Sequence, residues 1–152
     1  MKNNLYDSDY YSWAYQQAQL IREGKFNKLD IENLIEEIED MGRSQYRALK
    51  SALRELQLHL LKWQMQSAKV DDLHDMERWY ISWLDSIAKQ RRRVVEELDE
   101  NPGLKNKLDE ILTTAYQQAC KAAATDMKCR IKDFPTECPW TFEQIMTDNW
   151  LP

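Results

Sequence analysis

Glycine and proline are scarce in this chain, with three and four residues in 152. An all-β protein draws on both for its tight turns, so their scarcity points to helices. Histidine is scarcer still. His59 and His74 are the whole supply, too few for a three-histidine zinc site within one chain. Cys120, Cys129 and Cys138 are odd in number and match no zinc spacing. The opening MKNNLYDSDYYSW lacks the basic-then-apolar order of a secretion signal. The cysteines therefore read as free thiols in a reducing compartment, and a cytoplasmic location is expected. No apolar run nears the roughly 20 residues that cross a bilayer, so no membrane partner is expected.

What is present suits one folded domain over residues 1–152. Hydrophobic residues make up 43% of the chain, with six Trp and seven Tyr, which excludes disorder. The net charge of −5 speaks against a general polyanion-binding role.

Periodicity predicts an all-α fold: an antiparallel bundle of about four main helices with a short C-terminal helix. The first helix is expected from Ser8 to Arg22, capped by Asp7 and stopped at Gly24. Asp30 is placed to cap the next. A polar loop follows at Ser67 to Asp75, then a helix from Met76 to Glu100 with Trp79, Tyr80, Trp83, Leu84, Ile87, Val94, Val95 and Leu98 inward. Asn101-Pro102 opens a fourth helix, with Asn as cap and Pro at its first position. Thr141 and Gln144 match a capping box, with Trp140 and Ile145 as the hydrophobic staple, so a short helix is expected there. The Trp150-Leu151-Pro152 end is too apolar to stand in solvent and is expected to lie on the bundle.

The run from Asp30 to Trp63 is the dominant feature. Ile31, Leu34, Ile35, Ile38, Met41, Leu49, Leu53, Leu56, Leu60 and Trp63 hold one helical phase through Gly42. Glycine inside a helix costs about 1 kcal/mol relative to alanine. A chain reversal would nonetheless reset the phase, so one long central helix of about 50 Å is expected. Beside the apolar stripe lie Glu32, Glu36 and Glu39 before the glycine, then Arg43, Arg47, Lys50 and Arg54 after it.

These residues also carry a resemblance. Tyr6-Asp7-x-Asp9, Trp13, Gly24-x-Phe26, the block from Glu32 to Ser44, His59-Leu60-Leu61-Lys62-Trp63, Gln90-Arg91-Arg92-Arg93, Phe134-Pro135-x-x-Cys138-Pro139-Trp140-Thr141 and the Leu151-Pro152 end resemble the bacterial, largely cyanobacterial, family called domain of unknown function twenty-nine. The resemblance covers nearly the whole chain, although Ser67 to Tyr80 departs from the family's basic linker. It implies a small all-α cytoplasmic protein with no accepted catalytic residues to carry over.

Candidate chemistry is sparse. Glu36 and Asp40 stand one helical turn apart and, with His59, have the donor types of a metal-dependent or hydrolytic site. Acids in a first helical turn also simply complement the helix dipole, and His59 among leucines reads as a hydrogen-bonded, partly buried histidine. A di-iron bundle would need Glu-x-x-His motifs, and neither histidine sits in one. A nucleophilic cysteine would need a base brought to it by the fold. Arg91 falls on the buried stripe of its helix, and a buried cation requires an anion, so an ion pair with Glu36 or Asp40 is expected. Arg92 and Arg93 are expected in solvent.

No cofactor is expected, and nucleic acid is an unlikely partner for so acidic a chain. The reading that remains is a helical protein-interaction module of unnamed partner. In a homodimer of two antiparallel long helices, the acids Glu32, Glu36 and Glu39 would meet Arg43, Arg47, Lys50 and Arg54 of the second copy. Such complementarity steers register more than it adds affinity. The alternative is the enzyme using Glu36, Asp40 and His59.

Overall fold

The computed structural model describes residues 4–152, with side chains described at 5–76 and 80–152. It is all-α, with no strand among the described residues. The α-helices are α1 (Asn4–Ser8), α2 (Tyr10–Arg22), α3 (Ile31–Ser67), α4 (Leu73–Trp79), α5 (Ile81–Glu100), α6 (Leu108–Asp126) and α7 (Phe142–Met146). The chain groups into two compact units, one up to Ser44 and one from Gln45 onward, and α3 runs through the division between them.

In the N-terminal unit, Asp9 caps α2 by accepting from the Ser12 amide, so the first helix is split one residue after Ser8. Asp7, the expected cap, lies inside α1. The end of α2 is as expected. Gly24 takes φ +69°, the Gly24 amide donates to Ile21 O and the Lys25 amide to Leu20 O. This double closure satisfies the last carbonyls and favours glycine at the left-handed position.

Asp30 then joins α2 to α3. Its carboxylate accepts from Trp13 Nε1 at 2.9 Å and Asn33 Nδ2 at 2.8 Å, while its own amide donates to Gln17 Oε1. Burial disfavours the charged carboxylate, but the bonds from Asn33 and Trp13 outweigh it and hold the pKa below the ordinary value. Glu37, one turn beyond Asn33, accepts from both Tyr6 and Tyr10 hydroxyls. That bond, with some burial, lifts Tyr6 to about 12.

The C-terminal unit holds the core. Leu49, Leu53, Leu56 and Leu60 of α3 meet Ile87, Val94 and Leu98 of α5, Ile111 and Ala115 of α6, and Ile145 of α7. A second cluster joins Leu58 and Leu61 to Tyr116, Ala119, Cys120, Ala123 and Phe134. Lys62 Nζ pairs with Asp126 and stands 5.9 Å from the Trp83 ring centre, linking α3, α6 and α5.

Several boundaries differ from expectation. Asp72 accepts from the His74 amide and starts α4 inside the expected loop. A break at Tyr80 (φ −119°, ψ 30°) separates α4 from α5, where no glycine or proline marks it. The Trp79 side chain lies outside the described residues. Pro102 stands at a helix start as expected, but it opens a 3-10 segment, Pro102–Lys107, before α6. Asn101 does not cap that segment with its side chain, because its amide turns back to Glu97 O and Gln45 Oε1. The α7 capping box is formed in both directions by Thr141 and Gln144, over a buried Ile145. Trp150 and Leu151 pack on the core.

Candidate functional site

The acidic and basic residues of α3 divide between the two units and between two environments. Arg43 reaches back along its own helix to Glu36 Oε1 at 2.9 Å, Asp40 Oδ1 at 3.3 Å and Glu39 Oε2 at 3.5 Å. These are exposed pairs of small individual worth. Lys50 stands over the Tyr46 ring, and Arg54 pairs with Glu55. Glu32 and Arg47 are exposed.

The apolar phase has two fates as well. From Leu49 onward it is core. Before the glycine, Ile31 and Ile35 are each 51% exposed, Ile38 61% and Met41 64%. The sequence pattern predicts all of them inward. Within the N-terminal unit, however, α2 meets α3 through Tyr10 and Glu37, on a face other than the isoleucine stripe, which stays exposed.

Arg91 is buried, at 6% exposure, as its helical phase requires. Its partners differ from the expected acids. Nε donates to Ile145 O at 2.8 Å and Nη2 to Trp150 O at 2.6 Å, while Glu36 and Asp40 pair with Arg43. The physical reason is the tail. Helix α7 is only five residues long; Thr147 serves the Glu143 and Gln144 carbonyls, and Arg91 serves Ile145 O. Asn149 at φ 63° turns the chain beyond it, a conformation asparagine tolerates, and Trp150 O follows in range of the guanidinium. Burial lowers the Arg91 pKa, and Asp148 partly opposes that.

The same arginine lines a cavity of about 770 Å³ between α5 and the tail. Arg91 and Arg92 share its lining with Leu84, Ile87, Val95 and Leu151, and with exposed Glu96 and Asp148. Arg92 is exposed as expected, whereas Arg93 is half-buried and donates to Gln90 Oε1. Nothing in the sequence marks Asp148 or Asn149 as neighbours of Arg91, since they lie more than fifty positions away.

The residues of the enzyme reading each have partners within their own unit. Glu36 and Asp40 share Arg43, and His59 Nδ1 lies 2.8 Å from Glu55 O within α3. Among the described residues no group of three or more His, Cys, Asp or Glu side chains is placed to hold a metal. All three cysteines are free. Burial pushes the Cys120 and Cys138 thiols up, against the thiolate a nucleophile needs. Cys138 instead borders a second cavity of about 430 Å³ with Tyr116, Trp140 and Gln57. Gln57 is fully buried; its Nε2 lies 3.8 Å from Cys138 Sγ and its Oε1 has no partner among the described residues.

The fold and these surfaces define a small all-α protein. The chain belongs to the family described as Domain of unknown function DUF29, whose model matches residues 5–151. No curated protein and no solved structure matches it. No helix among the described residues is long and apolar enough to cross a membrane.

Proposed function

We propose that this protein is an interaction module that docks a helix of a second copy on the outward stripe of α3. The observation that carries this reading is the exposure of Ile31, Ile35, Ile38 and Met41. Their i, i+4, i+7, i+10 spacing forms one continuous apolar seam, the pattern by which helices pair. A contiguous apolar patch rimmed by charge is a signature of association.

The seam favours an antiparallel second copy. Centred near Glu36 to Ile38, such a pair brings Arg43 of one copy to the Glu32 end of the other. The pairing is shorter than the full acid-to-base match along the long helix. Leu49, Leu53 and Leu56 are committed to the core of their own chain, so the apolar stripe beside Lys50 and Arg54 is closed to a partner.

Mass measured by light scattering across a concentration series is the test. The wild-type chain is expected to move from monomer to dimer with rising concentration. Ile35→Asp with Ile38→Asp, both at exposed positions, is expected to hold it monomeric with its helix content unchanged. A wild-type mass that stays monomeric at every concentration, at both low and high salt, removes the reading.

A further inference from the structure

We propose that the cavity between α5 and the C-terminal tail binds an organic carboxylate with an apolar body, its head on Arg91 and Arg92. This goes beyond the docking seam, involves none of its residues and can stand or fall without it.

Three observations carry the assignment. First, Arg91 is a buried cation whose hydrogen bonds run to two neutral carbonyls, Ile145 O and Trp150 O, with no carboxylate within ion-pair distance among the described residues. A guanidinium taken out of water is costly unless an anion meets it, and its planar fork suits a carboxylate. Nε and Nη2 are engaged, which leaves Nη1 without a hydrogen bond among the described residues. Second, Arg91 lines an open cavity of about 770 Å³, large enough for a small organic ligand. Third, Leu84, Ile87, Val95 and Leu151 give the wall an aliphatic surface for an alkyl chain, beside the polar Glu96, Asp148 and Asn149.

Glu96 and Asp148 also border the cavity, and they work against an anion. Both are exposed, so water and salt screen them, whereas the charge of Arg91 is felt through a low-dielectric wall. The interior end of the cavity is therefore the positive one. Asp148 is the acid whose charge acts on Arg91 in the free protein, and a bound carboxylate would take over that role.

The experiment is calorimetric titration of the full chain with octanoate, against octanol and octylamine of the same chain length. Octanoate is expected to bind saturably at one site. The uncharged and cationic analogues should bind about tenfold more weakly or worse, the equivalent of one lost charge-assisted contact. Val95→Glu puts a charge on the aliphatic wall at a half-exposed position and should weaken octanoate about tenfold. Asp148→Asn removes the competing acid and should tighten it. Absence of saturable octanoate binding at millimolar concentration overturns the proposal. So does equal binding of octanol or octylamine, or an affinity that neither Val95→Glu lowers nor Asp148→Asn raises.

Discussion

Arg91 closes the C-terminal end of the fold by donating to Ile145 O and Trp150 O, one carbonyl at the end of α7 and one beyond it. Replacing it by methionine keeps the aliphatic stem and deletes both donors. The two carbonyls lose a charged partner, so Arg91→Met should cost about 2–3 kcal/mol in urea unfolding, with Trp150 fluorescence shifted by release of the tail. An unchanged urea midpoint would mean the staple contributes nothing.

Asp30 is the corresponding residue of the N-terminal unit. Its folded pKa is depressed, so the stability it adds is fully present above the ordinary carboxylate value. That stability is lost as pH falls through the lowered folded value. Trp13, whose indole donates to Asp30, is a reporter of the loss. Its near-ultraviolet dichroism should fade on acidification from about pH 4 downward, and Asp30→Asn should flatten that response. Persistence of the wild-type response in the Asn variant would assign it to other carboxylates.

At the scale of elements, α3 decides most of the architecture. Its 37 residues pass through Gly42 without interruption, and a Cβ added there meets nothing within 4 Å. Since the backbone is helical and the space is open, Gly42→Ala should stabilise the protein by about 0.5–1 kcal/mol, read as a higher thermal midpoint. A lower midpoint would show that the helix needs glycine for a bend.

The helices were legible where a local signal exists: Gly24 at a helix end, the Thr141–Gln144 box, Pro102 at a helix start. The Asp9 and Asp72 caps were missed because Asp7 and a polar run offered competing readings a few residues away. The break at Tyr80 has no local marker at all.

At the scale of the whole molecule, the question is which apolar surface the chain buries within itself and which it leaves for another. Each α3 residue from Leu49 to Leu60 on the stripe is enclosed, while those from Ile31 to Met41 remain exposed. The proposed self-association rests on that division. Because the net charge is −5, two copies repel at long range. Moderate salt should therefore favour the dimer if the apolar seam dominates, and weaken it if the Glu32–Arg43 contact does. The concentration series run at two salt levels separates the two contributions.

The candidate sites were only half legible for the same reason. Phase alone buries Arg91, because Trp83, Ile87, Val94 and Leu98 set its face. Its partners come from the tail, across more than fifty residues, and no spacing announces them. The expectation of Glu36 or Asp40 rested on the rule that a buried cation requires an anion, whereas the groups that meet Arg91 are two neutral carbonyls. Main-chain carbonyls such as Ile145 O and Trp150 O are invisible to a search for acids.

Sequence by itself determined the helical class, the unbroken helical phase on both sides of Gly42, the caps at Gly24 and Thr141, and the inward phase of Arg91. Each is set by periodicity or by residues within four positions of one another, which is the reach of helical hydrogen bonding. Tertiary structure alone decided which half of the α3 stripe is core, which carbonyls hold Arg91 and where a cavity opens beside it. Those outcomes depend on which faces distant segments bring together, and an amphipathic pattern marks a face as apolar without saying what will cover it.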